Sequence, residues 1–345
     1  MSGHLAPPNP AAVPAVAGLE GAGWRARLRA LARAVLAPSP AAMRRLALAG
    51  IVISVVIILS GAAVRLSQSG LGCSDWPRCS AHDLAAGGSG GESLVHQWIE
   101  FGNRLVTVAI FVIAVLVTVA AWQFRPVAGA GRRRDLVWLA AAQPGCIVVQ
   151  AVVGGIVVLT KLNPGWVSVH FVASMAPVAA AVALYVRCQE GTGPARPLVP
   201  RLVRGFALGV IAAVALMMTA GTVVTGTGPL AGAADVPRYP LPQVGVTQFH
   251  ADIGWFLGAL LVGLIIAMRL TAAPRRAVRL GWLVAALIGL QGVVGYAQYF
   301  SGLPAGLVWV HETGAAAIWL AVLFLPFALR ERAALPATAP ARVKA

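Results

Sequence analysis

Eight runs of about twenty mostly apolar residues divide this chain, and a run of that length with almost no charge satisfies its backbone in lipid only as a helix. The windows are Leu46 to Val64, Trp98 to Ala121, Leu136 to Leu159, Gly165 to Tyr185, Gly205 to Thr225, Gln248 to Met268, Gly281 to Phe300 and Gly306 to Leu329. With 59% hydrophobic and 11% charged residues over 345 positions, a water-soluble globule would expose far too much apolar surface. The expected fold class is all-α integral membrane.

The net charge of +16 raises the possibility of nucleic-acid binding, but its placement gives a plainer cause. Of 27 basic residues, 22 fall in the two termini and in the loops after even-numbered spans. Only Arg65, Arg78, Lys161 and Arg238 fall in the other set of loops, and Arg104 lies inside the second span. The positive-inside rule then puts both termini in the cytoplasm, with no nucleic acid required. Residues 1–45, rich in Ala and Pro, read as a disordered cytoplasmic tail, retained rather than cleaved because the first span is long enough to cross.

A two-helix segment recurs. VQAVVGG followed by VSVH matches LQGVVGY followed by VWVH, and Gln150 to His170 is the same twenty residues as Gln291 to His311. GAAVRLSQSG also echoes GTVVTGTGP at the exits of the first and fifth spans. Four spans per half make the repeat parallel, about an axis along the membrane normal. The expectation is eight transmembrane helices as two pseudosymmetric four-helix bundles: 1–45 tail, 46–186 first half, 187–204 cytoplasmic linker, 205–329 second half, 330–345 tail.

His170, His250 and His311 each lie one to two turns inside the outer end of an even-numbered span, at ~1.5 Å per residue. An intramembrane histidine is usually functional because its imidazole needs a partner. A hydrogen-bonded structural role is the plain alternative for any one of them; three at one depth favour ligation. Zinc would need a compact shell of thiolates, imidazoles or carboxylates, whereas haem needs one or two axial histidines and a large apolar pocket. Ala173, Ser174, Gly254, Gly314 and Ala315, one turn beyond the histidines, leave room for a flat macrocycle, or are ordinary helix packing. His250 and His311 would form a closed two-imidazole site; the matching first-half pair is Asn103 and His170, which leaves that iron with an open side.

The second span carries Glu100, Asn103 and Thr107 on one face, with Arg104 four residues after Glu100. Glu100 and Arg104 either neutralise each other as an i,i+4 pair, or Glu100 handles protons beside the open iron. His96 is ~10 Å along the helix from Asn103, too far to replace a ligand there. Cys73 and Cys79 lie in the first outer loop, where a disulfide is possible, as a loop staple or a redox-active pair. Cys146 and Cys188 read as small hydrophobes. Arg65 and Arg238 are candidates for haem propionates or are solvated loop charges.

AAVRLSQSGLGCSDWP, WIEFGNRLVT, GGIVVLTKLNP with VSVHF, GTVVTGTGP, QFHAD and VWVH together resemble the haem A synthase family over roughly Ile51 to Leu329. The resemblance implies a bacterial plasma-membrane enzyme with haem b held by His250 and His311 in the second half. Haem O would be the substrate in the first half, with His170 on its iron, Glu100 catalytic, and Asn103, Arg65 and Arg104 around it. The reaction implied is oxidation of the haem O C8 methyl to the formyl of haem A for cytochrome oxidase. Haem O synthase (protohaem farnesyltransferase) and an electron donor are the expected partners, alongside lipid and a possible homo-oligomer. Many members have histidine where this chain has Asn103, and the family carries a cysteine pair matched by Cys73 and Cys79. A quinol-linked b-type cytochrome would share the histidines without needing Glu100. A transporter would share the duplication and the buried carboxylate, but fits poorly with histidines at one depth and no expected midplane helix breaks.

Overall fold

A computed structural model describes residues 23–87, 93–126 and 131–335. It is all-helical apart from one short strand pair, and eight of its helical segments are long and apolar enough to cross a membrane. They are α2 (Pro40–Leu66), α3 (Leu94–Gln123), α4 (Arg134–Leu159), the pair α5 (Pro164–Ala173) and α6 (Met175–Arg187), α7 (Arg201–Thr227), α8 (Gln243–Leu270), α9 (Arg275–Phe300), and the pair α10 (Ala305–Val322) and α11 (Leu325–Ala328). The protein is a multi-pass membrane protein.

Several helices start earlier than hydropathy indicates, because capping and not apolarity sets a helix end. Ser39 accepts a hydrogen bond from the Ala42 N–H at 3.2 Å, with Pro40 in the first turn, so α2 begins before the apolar run. Ser93 does the same for α3 through the His96 N–H.

The fourth span is not continuous, which corrects the expectation of unbroken helices. Pro177 has no N–H to offer the Ala173 carbonyl, and α5 passes to α6 at Ser174, one turn beyond His170. Pro326 accompanies a second break at 323–324.

Two tail expectations are also corrected. Residues 24–36 form a helix, α1 (Trp24–Leu36), because WRARLRALARAVL holds only good helix formers and one β-branched residue. Val35 buries against the first-half core beside Phe124 and Leu184, and residues 40–45 already belong to α2. At the other end, β2 (Arg330–Glu331) pairs antiparallel with β1 (Arg196–Pro197), and Gly191 donates to the Ala333 carbonyl at 2.7 Å. The start of the expected C-terminal tail is thus strapped to the linker. Glu190 meets Arg187 at 2.8 Å and Arg330 at 3.0 Å, while Asp135 meets Arg133 at 2.8 Å and Arg187 at 2.7 Å. Residues 1–22 and 336–345 of the two tails lie outside the described residues.

Within each half every span packs on two neighbours: α2, α3, α4 and α6 in one ring, α7 to α10 in the other. The halves meet where α5 lies on α7 and α10 lies on α2 and α6. The α4–α5 and α9–α10 hairpins turn alike. Lys161 and Leu162 take left-handed φ of 54° and 56°, Gly302 and Leu303 take 78° and 60°, and Leu162 and Leu303 each donate to the carbonyl five residues back at 2.8 Å. That shared turn places His170 and His311 each at the seventh residue of its helix.

Candidate functional site

The three histidines come to one layer, His250 being the eighth residue of α8, so all lie roughly 10 Å along the helix from its start at ~1.5 Å per residue. Each imidazole is bedded on a glycine of the preceding span. A Cβ added to Gly154 would lie 3.2 Å from His170 Cε1, one on Gly221 3.2 Å from His250 Cε1, and one on Gly295 3.3 Å from His311 Cε1. Each ring thus has its Cε1 edge against bare backbone, and the Nδ1 atoms of His170 and His311 are buried without a hydrogen-bond partner.

His250 and His311 face each other across the second half, ring centres 6.4 Å apart and planes at 67°. Two imidazoles bonded at about 2 Å to one metal atom between them put their centres roughly 6 Å apart. The pair is therefore spaced so that one metal atom could be bound between the two rings. Among the described residues no group of three or more His, Cys, Asp or Glu side chains converges into a compact shell.

The first half keeps one cradle filled. Gln150 Nε2 donates to the His170 carbonyl at 3.0 Å and braces α5 against α4. Opposite, Ser60 Oγ donates to Asn103 Oδ1 at 2.8 Å. Gly61, which matches Gly221 in the echoed motifs, has no atom within 4 Å of a built Cβ. The position where a fourth imidazole would rest is open.

Glu100, 6% exposed, has both carboxylate oxygens engaged. Arg104 Nη2 donates to Oε1 at 2.6 Å and the Cys73 N–H donates to Oε2 at 2.6 Å. Arg104 also donates to the carbonyls of Asp75 at 3.0 Å, Pro77 at 3.3 Å and Arg78 at 2.9 Å. Cys73 and Cys79 form a disulfide, and between them Trp76 packs on Gly155 of α4, its ring 2.6 Å from a built Cβ. This loop bridges α3 and α4, meeting α4 one residue from the Gly154 that beds His170. His96 stays in the first turn of α3, its carbonyl pressed on Gly72.

Arg65 does not stand free as a loop charge. It pairs with Glu312 of α10 and donates to the Leu230 carbonyl. Arg238 is occupied within its own loop, donating to the carbonyls of Gly228 at 3.0 Å and Val236 at 2.9 Å.

Sequence reasoning passed over Glu312, although a carboxylate inside a span and next to His311 is itself a signal. For two of the small residues one turn beyond the histidines the contacts favour the helix-packing alternative. Gly254 lies against Met217 and Gly314 against Gln291, so these two serve helix packing; the glycines that bed the imidazoles are Gly154, Gly221 and Gly295.

Eight apolar spans with three glycine-bedded imidazoles, two of them facing, define a polytopic membrane protein with a candidate metal site between its helices. The sequence pattern of the COX15-CtaA family, described as cytochrome oxidase assembly protein, matches residues 44–87 and 89–323, and the chain belongs to that family. Proteins named Heme A synthase are similar over part of their length. The one from Methylobacterium radiotolerans is 31% identical over 183 residues, 50% of this chain and 47% of that protein. The one from Oceanobacillus iheyensis is 30% identical over 107 residues, 31% and 32% of the two chains. The one from Geobacillus thermodenitrificans is 29% identical over 116 residues, 33% and 32%. The chain thus matches between a third and a half of the length of these relatives.

Proposed function

We propose that this protein is a haem A synthase, which oxidises the C8 methyl of haem O through hydroxymethyl stages to the formyl group of haem A. The observation that carries this reading is the asymmetry of the two halves: a facing His250–His311 pair at 6.4 Å in one, and in the other a glycine-bedded His170 with Asn103, bonded to Ser60, in place of the second histidine. The relatives named Heme A synthase agree with it.

In this reading His250 and His311 would hold a resident haem b, and with Arg-rich loops in the cytoplasm that site would lie near the outer leaflet. Bound there, haem b supplies one-electron transfer. His170, bedded on Gly154 and braced by Gln150, holds the substrate iron from one face and fixes the height of haem O in the first half. Asn103, tied to Ser60, leaves the opposite face without an imidazole. Arg104 and Glu100 hold the Cys73–Cys79 loop against α3; these hydrogen bonds support a loop-holding role for Glu100 beside the catalytic role that the family resemblance implies. Haem O synthase would deliver the substrate, an electron donor would connect to the haem b, and the bacterial plasma membrane would be the site.

A carrier that only passes electrons needs the His250–His311 pair alone, and leaves a third bedded imidazole opposite an empty cradle unexplained. The break at Ser174 is a transporter-like feature, but it sits beside His170 and shapes that site. The test is haem extraction from cells that co-express a haem O producer with this chain. Haem A or hydroxylated haem O supports the synthase; haem O and haem B alone, with the protein present and coloured, contradict it.

A further inference from the structure

Among the described residues, one ion pair joins a span of one half to a span of the other. Arg65, at the outer end of α2, reaches across to Glu312 of α10, and the two side chains are 14% and 20% exposed. Glu312 Oε2 is buried with no hydrogen-bond partner and lines a small cavity with Ile58, Phe171, Ser174, Met218 and Trp319. One of these neighbours is placed tellingly: Phe171 follows His170 in sequence, as Glu312 follows His311. Trp309 of α10 adds a second tie to α2, its indole N–H donating to the Leu59 carbonyl at 3.4 Å.

A buried ion pair contributes little net stability compared with an apolar contact, while losing one partner strands the other's charge. Its usual value is registry. Here the registry concerns α10, whose rotation about its own axis sets the plane of the His311 ring relative to His250, now 67°.

We propose that Glu312 is a positioning residue: by holding Arg65 across the interface it fixes the rotation of α10, and so the mutual orientation of the two imidazoles in the second half. The proposal rests on the haem reading above. In this account Glu312 acts through the helix that carries His311.

The test uses the full-length protein purified with haem and read by electron paramagnetic resonance of the low-spin ferric signal, whose anisotropy depends on the angle between axial imidazole planes. Glu312→Gln and Arg65→Gln should shift or broaden the low-field feature. Glu312→Asp, which keeps the charge but shortens the reach, should shift it partway, and the double exchange Arg65→Glu with Glu312→Arg should restore it. If the single variants lose haem, recovery of haem and signal in the double exchange supports the proposal, and failure to recover overturns it. An unchanged signal at equal haem content in both Gln variants also overturns it, even if their melting temperatures fall, because that is what a purely stabilising pair would give. A wild-type protein with no haem would instead sink the haem reading itself.

Discussion

The His250 and His311 rings stand 6.4 Å apart, centre to centre, with their planes 67° from parallel. Imidazoles twisted this far from parallel split the iron orbitals little, so the bound haem should give a strongly anisotropic low-spin ferric signal and not the rhombic signal of parallel rings. Electron paramagnetic resonance of the purified oxidised protein decides this.

The glycine beds give a pair of contrasting substitutions. Gly295→Ala would bring a methyl to 3.3 Å from His311 Cε1, a contact that must be relieved at a cost of about 1–3 kcal/mol. The expected result is a weakened or lost low-spin haem. Gly154→Ala brings a methyl as close to His170 and should leave that haem in place while conversion of haem O falls at least tenfold. Haem content by absorbance and product by extraction separate the two.

Asn103→His fills the empty position. Gly61 leaves open space there and α3 already points the residue toward Ser60 of α2. With haem O supplied, the variant should hold the substrate iron from both faces, doubling the low-spin signal per chain and slowing conversion. Quantifying low-spin haem per protein tests this; an unchanged ratio with haem O demonstrably bound would show that residue 103 does not face the iron.

Glu100→Gln keeps the shape of the side chain but removes the charge that Arg104 and the Cys73 N–H share. Loss of a charge-assisted buried contact of this kind costs about 1–3 kcal/mol, and the effect should concentrate in the loop from Cys73 to Cys79. Limited proteolysis should cut that loop faster, and the melting temperature should fall by a few degrees. A loop as resistant as in the wild type would leave Glu100 without its positioning role.

Much of the fold was legible because the bilayer imposes a single rule, that a spanning segment is long and apolar. Hydropathy therefore found every span, and missed their ends wherever a cap such as Ser39 or Ser93 lay outside the apolar run. It could not foresee the break at Ser174, since Pro177 in a span is as often absorbed as expressed. The histidines were legible as polar residues in an apolar context, and their common depth followed from counting along each helix. Their beds were not: Gly154, Gly221 and Gly295 lie on neighbouring helices, and one sequence does not say which face of a glycine-rich span meets which imidazole. Arg65 ends a span, so the sequence offers it as a propionate partner or as a loop charge and gives no sign of Glu312, which lies 247 positions away, beyond any local pattern.

The most direct measurement is the visible spectrum and haem content of the purified protein beside its His250→Ala and His311→Ala variants. The geometry predicts one low-spin haem in the wild type that either substitution abolishes, while His170→Ala retains it. A wild-type preparation that stays colourless after reconstitution with haem, or a low-spin signal that survives in both second-half variants, would contradict it.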